Sequence, residues 1–277
     1  MFGIALDLKV ADFKRVAESP KASFVGLTSQ FILLPFITWL LVMIIRPQPS
    51  IALGMMLVAA CPGGNISNFL THLSKGNTAL SVSLTAIGTV LAIVMTPFNL
   101  QLWASLYPPT SILLKEIQLN AIDLFESILM LAGFPLIFGM LFSHYYSNAA
   151  LKLAKIMKPL SIIIFAGFVL LAFANNLNHF LSHIHMVLLV VFIHNAFALL
   201  TGYFSAKVAG LSIADQKTIA IETGIQNSGL GLFLIFSFFN GLGGMAFVAA
   251  WWGIWHIVSG LALATFWSGK ATSTQTV

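Results

Sequence analysis

Apolar residues fill this chain in long runs, and short polar breaks separate them. Runs of roughly 20 to 28 residues, the length that carries a helix across the hydrocarbon core of a bilayer, lie at about 22–45, 50–74, 77–105, 119–143, 156–178, 184–207, 213–238 and 244–267. They predict an all-α, polytopic membrane protein with about eight complete spans. The ten-residue alternating segments of a β-barrel are absent. Residues 1–8 read as the tail of a further span, and 269–277 as a polar tail.

Composition points the same way. Hydrophobic residues make up 58% of the chain and charged residues 8%, whereas a soluble domain carries about 25% charged residues. Basic residues then set the orientation, because cytoplasmic loops collect them. With residues 9–21 placed inside, the inward loops hold Lys9, Lys14, Arg15, Lys21, Lys75, Lys152, Lys155, Lys158, Lys207, Lys217 and Lys270. The outward loops hold only Arg46 and Lys115. The net charge of +5 therefore reads as topology, not as nucleic-acid binding. The longest outward connection, Tyr107 to Asn120, carries Pro108 and Pro109. Cys61 is the single cysteine, which excludes an intrachain disulfide and a cysteine metal site. No nucleophile–base pair, metal cluster or phosphate loop is seen, so neither an enzyme nor an organic cofactor is expected.

Two runs are interrupted. The second, IALGMMLVAACPGGNISNFLTHL, carries Pro62, Gly63, Gly64, Asn65, Ser67 and Asn68 at its middle. Proline has no N–H to donate and clashes with the preceding turn. The seventh, TIAIETGIQNSGLGLFLIF, carries Glu222, Gly224, Gln226, Asn227, Ser228 and Gly229. Unwound backbone at membrane depth survives only where protein or a water-filled cavity covers it. A long span precedes and follows each break, and the two broken segments run in opposite directions. Paired interruptions in inverted halves point to the binding site of a secondary carrier.

Glu222 is the one carboxylate deep in a run, where burial costs at least ~2.5 kcal/mol without a partner. Oxygens that could gather around a hard monovalent cation are those of Glu222, Gln226, Ser67, Asn68, Gln30 and the carbonyls freed at the breaks. Ser81 and Thr85, spaced i and i+4, add two hydroxyls on one face. Half-helix N-termini at the breaks offer positive dipole ends to an anion.

CPGGNISN at 61–68, LSVSLTA at 80–86, ETGIQNSGL at 222–230 and WHIVSG at 255–260 resemble the bile acid:sodium symporter family, and FGIALDL at 2–8 is similar to the end of its second helix. The resemblance implies ten helices: a panel of four beside a core of two inverted three-helix repeats, in which two discontinuous helices cross. Core repeats then fall at about 22–106 and 182–268, with panel remnants at 1–8 and 112–178. The first helix and most of the second have no counterpart in this chain. The first implied sodium site uses Ser67, Asn68, Ser81, Thr85 and Glu222. The second uses Gln30, Glu222, Gln226 and the backbone oxygens of Thr223 and Ile225. The anion would sit near Asn65, Asn227 and His256. Asn65 stands where the family has a small hydroxyl residue, and Ile257 where it has asparagine; both changes bear on the substrate.

The implied function is sodium-driven symport of an organic anion by alternating access, with a small carboxylate or bile-acid-like molecule as cargo. The expected setting is lipid, in a bacterial inner membrane. Two alternatives stay open: proton coupling through Glu222, and a truncated protein that transports nothing. Plainer readings stand beside the sharp ones. Glu222 could be a structural acid. Ser81 and Thr85 alone could bond back to their own helix, and Gln30 alone could be an interhelical contact. His179, His183 and His185 read as an exposed outward turn. His194 and Asn195 read as a satisfied interhelical pair, not a site. Trp251, Trp252 and Trp255 read as marking the outer interface and upper core.

Overall fold

The computed structural model describes residues 5, 6, 12, 18–117, 121–174 and 177–273. The expected segment at 1–8, apart from Ala5 and Leu6, lies outside the described residues, as do Lys9, Lys14, Arg15 and the end of the polar tail. The described chain is helical: α1 (Pro20–Ile45), α2 (Pro49–Ala60), α3 (Ile66–Leu73), α4 (Thr78–Ser105), α5 (Pro108–Ile117), α6 (121–145), α7 (Ser147–Ala174), α8 (Leu177–Val208), α9 (Ile213–Gly224), α10 (Ser228–Phe238) and α11 (Gly243–Ser273). Four helices among the described residues are long and apolar enough to cross a membrane: Pro20–Ile45, Thr78–Ser105, His185–Val208 and Gly243–Gly269. The expected runs at 50–74 and 213–238 each consist of two shorter helices, α2 with α3 and α9 with α10.

Prolines open α1, α2 and α5, where the missing N–H would have had no partner anyway. Pro108 and Pro109 therefore start a helix where a loop was expected. Likewise His179, His183 and His185 lie in the first turns of α8 rather than in a loop. Inside α1, Pro35 cannot bond to the carbonyl four residues back, that of Phe31. The helix widens there into a π turn at Ser29–Leu33, and the Phe31 carbonyl accepts instead from Asn99 Nδ2 of α4 at 3.0 Å. α6 repeats the device, with a π turn at Leu129–Gly133 just before Pro135.

α2 sits at the centre. Every residue from Ile51 to Ala60 is buried, so the helix is apolar on all sides and has no solvent face. Glycines bring α11 against it. A Cβ on Gly54 would stand 2.8 Å from Met245 Cα, and one on Gly244 would stand 2.2 Å from Ser50 Oγ. Large apolar side chains cover the outside instead: Phe24 is 72% exposed and Ile44 76%. Such a surface suits lipid, not water. Of the three tryptophans at 251–255, Trp252 takes a core position: it is fully buried, with its ring 4.7 Å from that of His194.

Candidate cation site where two broken helices cross

Cys61 precedes a proline, which biases it to extended backbone, and it takes φ −70°, ψ 155°. α2 thus stops at Ala60. The Ala60 carbonyl, orphaned inside the bundle, accepts from Thr96 Oγ1 of α4 at 2.8 Å. α9 stops at Gly224 with the same kind of help: its terminal carbonyl accepts from Asn195 Nδ2 of α8 at 2.8 Å. Asn227 restarts the chain as the cap of α10, accepting from the Leu230 N–H at 3.0 Å.

The two breaks satisfy each other. Gly64 N donates to Ile225 O at 2.8 Å, and Asn227 N donates to Pro62 O at 2.8 Å. Gly63 and Gln226 form an isolated antiparallel bridge between them. Four backbone groups that would each cost several kcal/mol unpaired in hydrocarbon are thereby paired where the segments cross.

Glu222, 1% exposed, lies one turn before the second break and meets hydroxyls from two directions. Ser67 Oγ of α3 donates to its Oε1 at 2.5 Å. Ser81 Oγ of α4 donates to the same oxygen. Thr85 Oγ1 lies 3.2 Å from Oε1 and 3.1 Å from Oε2. Asn68 Oδ1 joins the group, 2.9 Å from Ser81 Oγ and 3.4 Å from Thr85 Oγ1. The five side chains expected to form the first sodium site therefore come together from α3, α4 and α9.

The second expected group is also gathered, more loosely. Gln30 is buried in the π turn of α1, which aims its amide between two glycines. A Cβ on Gly63 would stand 2.9 Å from Glu222 Oε2 and 3.4 Å from Gln30 Nε2, and one on Gly88 would stand 3.4 Å from Gln30 Oε1. Gln226 Nε2 donates to Thr223 O at 2.7 Å. Gln226 Oε1 and Gln30 Nε2, both buried, have no hydrogen-bond partner. The Ile225 carbonyl is held by the Gly64 N–H, which leaves its second lone pair. An unpartnered amide oxygen, a carboxylate and a ring of hydroxyls form an all-oxygen donor set that suits a hard cation.

The three residues expected at an anion are less tightly grouped. Asn65 stands at the start of α3 with no side-chain cap bond. Asn227 spends its side-chain oxygen on the α10 cap. His256 is buried in α11 with Nδ1 unpartnered. Among the described residues no hydrogen bond joins the three. α11 does pass the crossing one turn later: a Cβ on Gly260 would stand 2.7 Å from Leu70 Cδ1 and 2.9 Å from Ile225 Cδ1.

Comparison with known proteins decides the family. The model of the sodium bile acid symporter family matches residues 1–183. The chain belongs to that family. A Bacillus subtilis relative, named an uncharacterized sodium-dependent transporter, is 36% identical over 275 residues, covering 99% of this chain and 82% of its own. A chloroplast protein of Arabidopsis thaliana, named a probable sodium/metabolite cotransporter, is 30% identical over 272 residues, covering 98% of this chain. A probable sodium/metabolite cotransporter of Oryza sativa is 31% identical over 274 residues, also covering 98%. The chain spans 65% and 62% of these two plant relatives.

For a member of this family, several residues matter that sequence reasoning passed over. Thr96 and Asn99 look like ordinary polar residues in an apolar helix, yet each supplies the donor for a carbonyl freed by a proline or a break. Thr223 Oγ1 donates to Ser29 Oγ at 3.0 Å, tying α9 to the π turn. Asn77 Nδ2 donates to Asp215 Oδ1 at 2.8 Å, joining the start of α4 to the start of α9. For Thr96, Asn99 and Thr223 the available signal was the depth of a polar side chain in an apolar run; Asn77 lies in a polar connection and offered only its place before a helix. Depth marks a polar group that needs a partner without naming the partner. His194 bonds Thr38 Oγ1 through Nε2 at 2.7 Å, an interhelical contact as expected, but its buried Nδ1 has no hydrogen-bond partner, so the ring is only half satisfied.

Proposed function

We propose that this protein is a sodium-coupled symporter of organic anions. In this reading α2 with α3, and α9 with α10, each count as one interrupted span. Together with α1, α4, α6, α7, α8 and α11 they give eight. The order long–broken–long occurs twice, over about 22–106 and 182–268, and the two copies enter from opposite sides as inverted repeats. Residues 112–178 belong to the panel against which this core moves. Sodium is held by Glu222 with Ser67, Asn68, Ser81 and Thr85 at one position. At the other it is held by Glu222 with Gln30, Gln226 and the carbonyls of Thr223 and Ile225. The relatives' names, which speak of sodium dependence and of metabolites, support sodium coupling and a metabolite as cargo. The Bacillus relative supports a bacterial plasma membrane as its setting.

The observation that carries the reading is a buried carboxylate whose partners are hydroxyls rather than a cation. A fixed negative charge in an apolar bundle is costly, and three hydroxyl donors relieve only part of that cost. A bound sodium ion would neutralise Glu222 and pull the oxygens of α3, α4 and α9 onto one centre. Because those elements carry both breaks, ion capture would set the crossing before the anion binds near Asn65, Asn227 and His256. The core would then move against the panel and open the site to the other side.

The test is uptake by proteoliposomes of labelled small carboxylates and of a bile acid under a sodium gradient, with potassium as control. Sodium-dependent accumulation that disappears in Glu222→Ala supports the scheme. Glu222→Ala uptake equal to wild type refutes it, and accumulation driven by a pH gradient without sodium assigns Glu222 to protons instead.

A further inference from the structure

Asn195 of α8 is 1% exposed, and both ends of its amide are committed. Nδ2 donates to Gly224 O at 2.8 Å. Oδ1 accepts from Ser259 Oγ of α11 at 2.6 Å. The first bond fixes the terminal carbonyl of α9, which lies between the Thr223 and Ile225 carbonyls assigned above to sodium. Peptide planes are rigid and adjoin at shared Cα atoms, so tilting the Gly224 carbonyl re-aims both neighbours. The second bond reaches the helix that carries His256. Ser259 Oγ also lies 3.2 Å from His256 O. One hydroxyl proton therefore has two acceptors within reach: the Asn195 amide, or the turn of its own helix that holds the candidate anion contact.

We propose that Asn195 is a positioning residue for sodium, and that Ser259 links it to the anion-bearing turn of α11. Asn195 touches neither sodium nor the anion; it sets the direction of the carbonyls at the end of α9. Ser259 donates to Asn195 while α11 keeps its present register. A shift of the His256 turn favours the alternative acceptor, frees Asn195 Oδ1 and loosens its hold on Gly224. Anion occupancy on α11 and sodium affinity at the crossing are then coupled through two hydrogen bonds, with the reciprocity that linkage requires.

This proposal rests on the sodium reading above, and its test separates the two. Radioactive sodium binding to the purified full chain is titrated against a potassium background, and the melting temperature in potassium alone is measured beside it. Asn195→Leu removes both bonds and is expected to raise the half-saturating sodium concentration about tenfold, the scale of the one buried hydrogen bond that aims the Gly224 carbonyl. Ser259→Ala is expected to raise it about threefold, because only the outer bond of the chain is lost. The double variant is expected to be no worse than Asn195→Leu, since Ser259 acts through Asn195; non-additivity of this kind marks shared partners. A purely structural role would lower the melting temperature in potassium and leave the sodium titration unmoved, which overturns the proposal. Multiplicative effects in the double variant overturn it as well. If Asn195→Leu does not fold, the milder Ser259→Ala decides alone: a raised half-saturation supports the link and an unchanged one refutes it. Wild-type protein that binds no sodium overturns the functional reading itself, and the link with it.

Discussion

Gly63→Ala adds one methyl group at the most crowded point of the crossing. The new Cβ would stand 2.9 Å from Glu222 Oε2, 3.4 Å from Gln30 Nε2 and 3.5 Å from Glu222 O. The first distance is shorter than atoms in folded proteins tolerate, so the carboxylate oxygen must retreat. It has little room to do so. Oε1 is held by Ser67 and Ser81, and Thr85 bridges both oxygens. Overpacking of this kind costs about 1–3 kcal/mol. Falling on Glu222, the proposed sodium ligand, that corresponds to roughly a 5- to 150-fold weaker sodium affinity at 1.4 kcal/mol per factor of ten. The readout is the half-saturating sodium concentration, from uptake or from direct binding, with potassium as control. Two neighbours calibrate it. A Cβ on Gly64 would stand 3.4 Å from Gln226 O, and one on Gly231 no closer than 3.7 Å, to Cys61 Sγ. Gly64→Ala should be milder and Gly231→Ala close to wild type. Wild-type sodium dependence in Gly63→Ala, or equal damage in Gly231→Ala, would show that the geometry around Glu222 Oε2 does not govern ion binding.

Glu222→Gln keeps the shape and removes the charge. It is expected to abolish sodium-specific stabilisation while melting no lower than wild type in potassium, since a buried charge worth at least ~2.5 kcal/mol at membrane depth has gone; thermal melts in the two salts decide. Thr96→Val strips the donor from the Ala60 carbonyl and is expected to cost about 1–3 kcal/mol of stability, read as a lower melting temperature with an unchanged sodium titration. Gly54→Ala drives a methyl group to 2.8 Å from the Met245 backbone. Pushing α2 off α11 in this way is expected to cost about 1–3 kcal/mol, seen as a lower melting temperature in every salt.

Much of this architecture could be read from residue order. The apolar runs located the helices, and Pro62 with its glycines marked the first interruption, because a missing N–H at a helix centre is a local fact. Glu222 was conspicuous for the same reason: one charge in a long apolar run. The carbonyl repairs were not legible. Asn99 serves Phe31, 68 positions away, and Asn195 serves Gly224 across a helix pair. Nothing local to an asparagine names a distant acceptor. Pro108 and the histidines at 179–185 were misjudged because polar or proline-rich stretches suit helix starts as well as loops. Residue type alone does not say which of Trp251, Trp252 and Trp255 faces the interface and which the core; packing against His194 puts Trp252 in the interior.

The crossing is also one energetic unit. The Gly64 N–H and the Pro62 carbonyl of the first break have the Ile225 carbonyl and the Asn227 N–H of the second as partners. Withdrawing either segment would strand groups on both, and water is scarce at that depth to take them up. The half-helices α2, α3, α9 and α10 should therefore move together, and any alternation of access should displace the crossing as a body against α6 and α7 rather than take it apart. Hydrogen exchange tests this directly. Peptides covering 61–65 and 225–229 should exchange slowly and with matching protection, because the Gly64 and Asn227 amides open in the same event. Sodium should raise both protections by the same factor. Protection that differs between the two by more than about tenfold, or that sodium changes in only one, would mean that the breaks open separately and that a rigid crossing is not what this carrier moves.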